Sequence, residues 1–158
     1  MKHLDLFSGI GGFALAARNV GWETVGFCEI DPYCQKVLRK HWPDVPIWDD
    51  IRSLKGHAIT KSVGPVGIVT GGFPCQPFST AARGRNNAEN LWPEMARIIR
   101  KIRPTWVLAE NVPGCKLEHI QRACSDLALC NYSTWPIDVA VEANRHNRRR
   151  IWIVAHSN

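Results

Sequence analysis

One cysteine of the chain stands in a setting suited to covalent chemistry. Cys75 lies in the segment GGFPCQPFS, residues 71–79, directly after an apolar run. Pro74 and Pro77 restrict the backbone on either side of the thiol, and loops that follow strands often carry functional side chains. The residue types therefore favour a nucleophile at Cys75. The alternative is a cysteine packed in the core as a small apolar side chain, which is the commoner fate of a free thiol.

A carboxylate follows a second apolar run. Glu110 stands in AENVP, residues 109–113, immediately after Thr105 to Ala109. Because parallel strands bring the residues at their carboxyl ends to one edge of a sheet, we expect Glu110 and Cys75 at the same edge. A carboxyl group placed there could donate a proton or a hydrogen bond to a heteroaromatic ring. A helix N-cap or a surface salt bridge is the alternative role.

The first apolar run leads into a glycine-rich turn, DLFSGIGGF at residues 5–13. Such a turn between a strand and a helix lets the backbone approach a nucleotide-like ligand, although the same composition also makes a plain tight turn. Glu29 follows about 20 residues later, where an acidic side chain accepts hydrogen bonds from ribose hydroxyls. Asp50 ends the third predicted strand and could accept from an adenine amino group. No lysine follows the glycines in the pattern of a triphosphate site, so a cofactor with adenosine and little phosphate is favoured.

Strand-length and helix-period segments alternate along the whole chain and would position these residues. The pattern predicts helices over Gly12–Val20, Asp31–His41, Leu91–Ile102 and Leu117–Leu129. It predicts strands over His3–Phe7, Glu23–Cys28, Val45–Trp48, Val66–Thr70, Thr105–Ala109, Ser133–Val141 and Ile151–Ala155. The residues 55–65 and 77–90 are predicted as two extended loops, of which the second should move. The alternation indicates an α/β fold with a mostly parallel sheet covered by helices on both faces.

Composition limits the class of protein. With 158 residues and 45% hydrophobic content, we expect one domain with a substantial core. Six cysteines show no CxxC pair or cysteine–histidine cluster, the N-terminus lacks a secretory signal, and no segment has the roughly 18 apolar residues of a membrane span. These features favour a reduced, cytoplasmic protein with no bound metal and no membrane contact.

The basic residues are clustered. The net charge is +6, and arginines concentrate at 83–85, 97–103 and 145–150. Clustered positive charge favours a polyanionic partner such as nucleic acid. A solvated basic face that aids solubility is the alternative.

Several blocks, taken in order and spacing, resemble the cytosine-5 DNA methyltransferases. These are DLFSGIGGF at 5–13, then Glu29, Asp50, GGFPCQPFS at 71–79, ENV at 110–112 and HNRRRIWIV at 146–154. The resemblance implies a Rossmann-like, S-adenosylmethionine-dependent methyltransferase fold with a seven-stranded sheet, forming a single catalytic domain over residues 1–158. It also implies a place in DNA methylation of the restriction-modification type.

The same resemblance implies roles for individual residues. Cys75 would attack carbon 6 of a flipped-out cytosine in DNA, and Glu110 would contact ring nitrogen 3 and the exocyclic amine. Arg150 would contact the cytosine carbonyl oxygen, and Arg148 would support the Cys75 loop. His146 departs from the glutamine common in the family. The residues implied to bind S-adenosylmethionine are Phe7, Gly9, Gly11, Gly12, Glu29, Ile30, Asp50, Ile51, Pro74 and Leu91.

The resemblance does not extend to the family's target-recognition region or to its last blocks. We therefore expect either a split enzyme whose second subunit supplies recognition, a self-associating minimal methyltransferase, or an inactive remnant. A nucleic-acid-binding module without chemistry and an enzyme of the tRNA-directed branch of the family are further alternatives.

Overall fold

A computed structural model describes residues 1–74, 90–115, 117–143 and 146–158. Cys75 and most of the loop predicted at 77–90 lie outside these residues. The strands are β1 Lys2–Leu6, β2 Glu23–Cys28, β3 Ile47–Trp48, β4 Ile68–Gly72, β5 Trp106–Asn111, β6 Tyr132–Ala143 and β7 His146–Ser157. The helices are α1 Gly12–Asn19, α2 Pro32–His41, α3 Gly56–Val63, α4 Trp92–Ile102 and α5 Leu117–Ala128.

The strands form one seven-stranded sheet in the order β3-β2-β1-β4-β5-β7-β6. The pairs from β3 through β5 are parallel, whereas β7 runs antiparallel to both β5 and β6. The strand order reverses direction between β1 and β4, which is the position where open α/β sheets bind ligands. The predicted α/β fold, with a mostly parallel Rossmann-like sheet, is confirmed.

Helices cover both faces of the sheet and enclose the core. On one face α1 and α2 bury Ala14, Phe27 and Leu38 together. On the other face α4 turns Met95, Ile98 and Ile99 into the main core, where they are fully buried beside residues of β1, β4, β5 and α5. The spacing of these residues places them on one face of the helix.

The segment predicted as an extended loop over residues 55–65 is a helix, and that prediction was wrong. Helix α3 buries Ile59 completely and packs on α4. Gly56 permits this packing, since a Cβ at that position would lie 2.6 Å from Lys101 Cγ. The eight-residue helix has no side-chain hydrogen bond at its N-cap. Its stability therefore comes from tertiary packing, which a local pattern does not reveal.

The end of β1 also differs from its prediction. The strand ends at Leu6, and Phe7 has a φ of 56° in the left-handed region that a side chain rarely occupies. By contrast, α2 begins where its sequence indicates: the Asp31 carboxylate accepts hydrogen bonds from the backbone N–H groups of Tyr33 and Cys34, and Pro32 occupies the first turn.

None of the helices within the described residues combines the length and the apolar character needed to span a membrane. The same residues contain no cluster of three or more histidine, cysteine, aspartate or glutamate side chains placed to hold a metal ion.

Candidate functional site

The turn that follows β1 opens the candidate site. Phe7, Gly9 and Gly11 all have positive φ, at 56°, 53° and 92°. Gly11 is also required by packing, because a Cβ there would lie 2.6 Å from Trp42 Cζ3. Gly12 has open space around its Cα, so its lack of a side chain leaves room in front of α1. The glycines of the motif thus serve two purposes, tight turning at Gly9 and Gly11 and an open approach at Gly12.

Glu29 connects this turn to the start of α2. One carboxylate oxygen accepts a hydrogen bond from Gly9 N–H at 2.7 Å, and the other accepts from Asp31 N–H at 2.8 Å. The side chain of Gln35 holds the neighbouring backbone, since its Nε2 donates to Glu29 O at 2.7 Å and to Asp49 Oδ1 at 3.0 Å. The carboxylate is therefore held in a defined orientation and keeps lone pairs for further hydrogen-bond donors.

A cavity of about 160 Å³, which we call the acidic cavity, lies beside Glu29. Its lining includes seven of the ten residues that the sequence assigned to cofactor binding: Phe7, Glu29, Ile30, Asp50, Ile51, Pro74 and Leu91. Cys28, Asp49 and Arg52 complete it. The structure thus brings together residues from five separate stretches of the chain, with apolar and acidic groups on its walls.

The charged residues that line the acidic cavity, Glu29, Asp49 and Asp50 against Arg52, carry a net negative formal charge. Burial, followed by the charges of Glu29, Asp50 and Asp49, raises the pKa of the Cys28 thiol to about 12. The same field would favour a cationic ligand. Cys28 itself stays a neutral thiol at physiological pH, so it is not a candidate nucleophile.

Asp50 has an internal partner that the sequence motif did not suggest. Its carboxylate accepts hydrogen bonds from the Arg52 backbone N–H at 2.9 Å and from Arg52 Nε and Nη2 at 2.9–3.1 Å. These hydrogen bonds hold the pKa of Asp50 below its usual value. The side chain stays charged and oriented at the rim of the acidic cavity.

A second cavity of about 500 Å³, the Glu110 cavity, lies on the same face of the sheet as α1. Its lining residues are Phe7, Ser8, Gly12, Phe13, Ala16, Gly72, Glu110, Val139, Arg150 and Trp152. Phe7 also lines the acidic cavity, so the two cavities adjoin. Phe13 contacts Trp152 edge-on, with ring centroids 5.7 Å apart.

Glu110 and Arg150 form an ion pair inside the Glu110 cavity. Arg150 Nε lies 2.6 Å from Glu110 Oε1, and both side chains are about three-quarters buried or more, at 27% and 20% exposed. Their strands explain the meeting, since Glu110 pairs with Trp152 across the antiparallel β5–β7 ladder. Two residues assigned to cytosine binding are therefore adjacent, with the carboxylate and the guanidinium facing one space.

The end of β4 lies beside Glu110. Gly72 pairs with Glu110 in the parallel β4–β5 ladder, and a Cβ on Gly72 would lie 3.1 Å from Glu110 Oε2. The next residue, Phe73, is buried, and its carbonyl accepts a hydrogen bond from Asn111 Nδ2 at 2.9 Å. Cys75 follows two residues later and lies outside the described residues.

Arg149 and Arg150 lie on opposite faces of β7. Arg149 donates to Asp138 from the face opposite Arg150, with Nε 2.8 Å from Oδ1. Arg148 pairs with Val141 in the β6–β7 ladder, and its side chain falls outside the described part of the chain. Arg149 and Arg150 thus each bind a carboxylate within the protein.

Sequence reasoning missed Arg52, Gln35 and Trp152. Arg52 stands two residues after Asp50, and a carboxylate followed by an arginine at that distance could have suggested the pair. Gln35 and Trp152 meet their partners across the fold, and no local pattern signals those contacts.

The chain resembles known proteins in sequence. The family model for C-5 cytosine-specific DNA methylases matches residues 1–158. The type II methyltransferase M2.BsuMI of Bacillus subtilis (strain 168) is 38% identical over 121 residues, covering 72% of this chain and 29% of that protein. The type II methyltransferase M.Eco47II of Escherichia coli is 32% identical over 166 residues, covering 98% and 39%.

Solved structures extend the likeness to the fold. A prophage-encoded E. coli protein, described as a DNA modification methyltransferase, superposes with a TM-score of 0.82 at 26% identity. The match covers 99% of this chain and 47% of that protein. The chain thus spans less than half the length of each of these three proteins.

Proposed function

Since the chain belongs to the C-5 cytosine-specific DNA methylase family, we propose that it is the catalytic part of an enzyme that transfers a methyl group from S-adenosylmethionine to carbon 5 of cytosine in DNA. The observation that carries the proposal is the Glu110–Arg150 pair, which faces a cavity adjoining an acidic, apolar-walled cavity through Phe7. One cavity suits a polar heteroaromatic base, and the other suits an adenosine-bearing cation.

The residues of the acidic cavity fit S-adenosylmethionine. Ile30, Ile51 and Leu91 offer apolar contact for a flat ring, and the three carboxylates suit hydroxyl, amino and sulfonium groups. Glu29 would accept from the ribose hydroxyls, and Asp50 from the adenine amino group. Gly9, Gly11 and Gly12 would let the backbone approach the amino acid end of the cofactor. The cofactor supplies an electrophilic methyl group to a nucleophilic carbon.

In the proposed reaction the Cys75 thiolate adds to carbon 6 of a flipped-out cytosine, which makes carbon 5 nucleophilic. Carbon 5 takes the methyl group, and S-adenosylhomocysteine leaves. Loss of the carbon-5 proton and then of the thiolate restores the ring. Glu110 would stabilise the ring at nitrogen 3 and the exocyclic amine, and Arg150 would bind the carbonyl oxygen. The short chain between Gly72 and Cys75, at most about 10 Å, supports placing the thiol near Glu110.

The test is transfer of a radiolabelled methyl group from S-adenosylmethionine to duplex DNA, single-stranded DNA and RNA, with and without candidate partner proteins. We expect transfer to DNA cytosine by the wild-type protein and none by Cys75→Ser. Cys34→Ser is the control, because Cys34 is a partly exposed thiol on α2 that lines neither cavity. Activity retained in Cys75→Ser would exclude Cys75 as the nucleophile, and transfer to RNA alone would change the substrate class.

DNA with 5-fluorocytosine provides a second readout. In the presence of S-adenosylmethionine, fluorine at carbon 5 cannot leave as the proton does once the methyl group has been transferred, so the covalent adduct with Cys75 should persist. We expect a protein–DNA band that survives denaturation with wild-type protein and Cys34→Ser, and no such band with Cys75→Ser. An adduct that forms without Cys75 would contradict the mechanism.

We further propose that another polypeptide segment, in the same protein or in a second subunit, covers part of the sheet. On the face that carries α1 and the Glu110 cavity, four apolar side chains of β5 and β6 are 37–50% exposed, namely Trp106, Trp135, Ile137 and Val139. Val139 and Trp152, the register partner of Ile137, line the Glu110 cavity. A cover on this face would therefore also close that cavity.

Self-association is the alternative and is testable on the isolated chain. If a second copy provides the cover, sedimentation should show a dimer that Trp135→Glu dissociates. If a different segment provides it, the chain should remain monomeric, and partner addition should raise methyl transfer in wild-type protein but not in Trp135→Glu. An exposed lysine variant, Lys36→Ala on α2, serves as the control. A monomer whose activity no partner changes would contradict the cover.

A further inference from the structure

The Arg97 side chain of α4 donates hydrogen bonds to the backbone of the segment that follows β3. Its Nη2 donates to Ile51 O at 2.7 Å, and its Nη1 donates to Leu54 O at 2.8 Å. Its Nε donates to Glu94 Oε2 at 2.7 Å, one turn earlier in α4. A single guanidinium therefore binds two carbonyls and one carboxylate at once, which is the fixed fork geometry that arginine offers.

The two carbonyls belong to a turn that forms one wall of the acidic cavity. Within residues 50–54 the backbone N–H groups of Ser53 and Leu54 both donate to Asp50 O, at 3.2 and 3.1 Å. The side chains of Ile51 and Leu54 are 3% and 4% exposed, and Ile51 lines the cavity. The turn is therefore compact, and its polar attachment to α4 runs through Arg97.

The strand that leads into this turn gives it little support. β3 consists of Ile47 and Trp48 alone, and it lies at the edge of the sheet with β2 as its only neighbour in the strand order. A two-residue edge strand supplies few ladder hydrogen bonds that would fix the residues after it. A charged donor fork from a long, well-buried helix would restrict that movement.

The N-terminus of α4 also lies at the acidic cavity. Leu91, the residue that precedes the helix, lines the cavity, and its N–H donates to Pro74 O at 3.0 Å. Pro74 is a lining residue as well. Through Arg97 and Leu91, one helix thus contacts both the wall that bears Asp50 and Ile51 and the wall that bears Pro74.

From these contacts we infer that Arg97 is a positioning residue for S-adenosylmethionine. It holds the 50–54 turn against α4, so that Asp50 and Ile51 face the acidic cavity. This inference rests on the proposed function for the identity of the ligand. Arg97 lies outside the lining of the cavity and acts only through the backbone carbonyls that it binds.

The first test is calorimetric titration with S-adenosylhomocysteine. We expect Arg97→Ala to weaken binding about tenfold, which corresponds to about 1.4 kcal/mol. Arg97→Lys should bind with intermediate affinity, because an ammonium can satisfy one carbonyl but cannot form the fork. Arg100→Ala, an exposed arginine on the same helix, should bind like the wild type. Wild-type affinity in Arg97→Ala would overturn the inference. Wild-type affinity in Arg97→Lys would contradict the claim that the fork geometry of the guanidinium is required.

A double-mutant cycle with Asp50→Ala separates positioning from general stability. If Arg97 acts by placing Asp50, the losses of affinity should be less than additive, since the second substitution removes what the first one placed. Additive losses would mean that Arg97 acts elsewhere. All affinities are compared at a temperature where circular dichroism shows every variant folded.

Hydrogen exchange tests the inference without any ligand. In Arg97→Ala the amides of Ser53 and Leu54 should exchange at least tenfold faster than in the wild type and in Arg100→Ala, because the turn opens more often. Unchanged exchange at these amides would overturn the inference. If the wild-type protein fails to bind S-adenosylhomocysteine while the exchange result holds, the proposed cofactor is wrong, and Arg97 holds the 50–54 turn for a different ligand.

Discussion

Glu110 and Arg150 hold each other in the Glu110 cavity, with 2.6 Å between carboxylate oxygen and guanidinium nitrogen. A bound cytosine would donate from its exocyclic amine to the carboxylate and accept at its carbonyl oxygen from the guanidinium. The ion pair therefore presents a donor and an acceptor side by side before any base enters. Such preorganised charge costs no rearrangement when the reaction begins.

We expect Glu110→Gln to lower the rate constant of methyl transfer about 100-fold. The amide does not balance the charge of Arg150, and it stabilises the charge that develops on the ring less well than a carboxyl group does. The KM for S-adenosylmethionine should stay near the wild-type value, because Glu110 does not line the acidic cavity. Steady-state kinetics with Glu23→Gln, an exposed glutamate at the start of β2, provide the matched control. A Glu110→Gln protein with full activity would remove Glu110 from the mechanism.

Helices α1 and α2 meet at Gly11. Trp42, just after α2, packs so closely that a Cβ on Gly11 would lie 2.6 Å from its ring, and the φ of 92° at Gly11 disfavours any side chain. The Trp42 ring also contacts Phe27 of β2, with centroids 5.5 Å apart. The glycine therefore sets how closely two helices approach beneath the ligand-binding turn.

We expect Gly11→Ala to lower the free energy of unfolding by about 2 kcal/mol, because it combines overpacking with an unfavourable φ. Gly12→Ala is the matched control, since Gly12 has open space around it and no positive φ. Its effect on stability should stay within about 0.5 kcal/mol. Urea unfolding followed by tryptophan fluorescence measures both. Equal losses in the two variants would contradict the role given to the Trp42 contact.

A row of buried, hydrogen-bonded polar side chains crosses the centre of the sheet from β2 through β1 to β4. His3 of β1 lies 2.9 Å from Thr24 Oγ1 of β2 and 2.8 Å from Thr70 Oγ1 of β4, and Thr70 Oγ1 donates to Asp5 Oδ1 at 2.8 Å. Burial lowers the pKa of His3 to about 4 and raises the pKa of Asp5 well above its usual value. Both groups are therefore favoured in their neutral forms inside the fold.

The pKa shifts of His3 and Asp5 predict how the stability of the protein responds to pH. Folded His3 stays neutral down to about pH 4, whereas the unfolded histidine binds a proton near pH 6.5. The unfolded state thus binds more protons between these values, and stability falls as the pH falls from about 6.5 to about 4, by up to about 1.4 kcal/mol per pH unit. Asp5 acts in the opposite direction, since its raised pKa contributes stability that is lost as the pH rises above the usual range of an aspartate.

The comparison of wild-type protein with His3→Gln isolates the histidine. Asp5 is present in both proteins, so its contribution largely cancels in the difference. We expect His3→Gln to be less stable at pH 7, because it loses hydrogen bonds, and the gap to narrow as the pH falls towards 4.5. Urea unfolding at several pH values measures the gap. A difference that does not change with pH would show that His3 does not titrate as described.

Much of the fold was determined by local pattern alone. Seven strands and four of the five helices were predicted, because a period of two or 3.6 residues and a cap such as Asp31 act within a few residues. Motif spacing also indicated Glu29, Asp50 and Glu110 as site residues, since residues at the carboxyl ends of neighbouring strands converge at one edge. Arg150 was implied by the family resemblance alone.

Tertiary structure alone decided the features that join distant stretches of the chain. The fifth helix, α3, depends on packing against α4, and the antiparallel direction of β7 depends on how the chain returns to the sheet. The Arg97 fork binds carbonyls 43 and 46 positions away in sequence, and every backbone has carbonyls, so no residue type marks them. The pairing of Arg150 with Glu110, where the sequence implied two separate contacts to a base, follows from the register of β5 and β7. Local physics specifies which elements form, whereas the partners of a side chain are settled only when the elements meet.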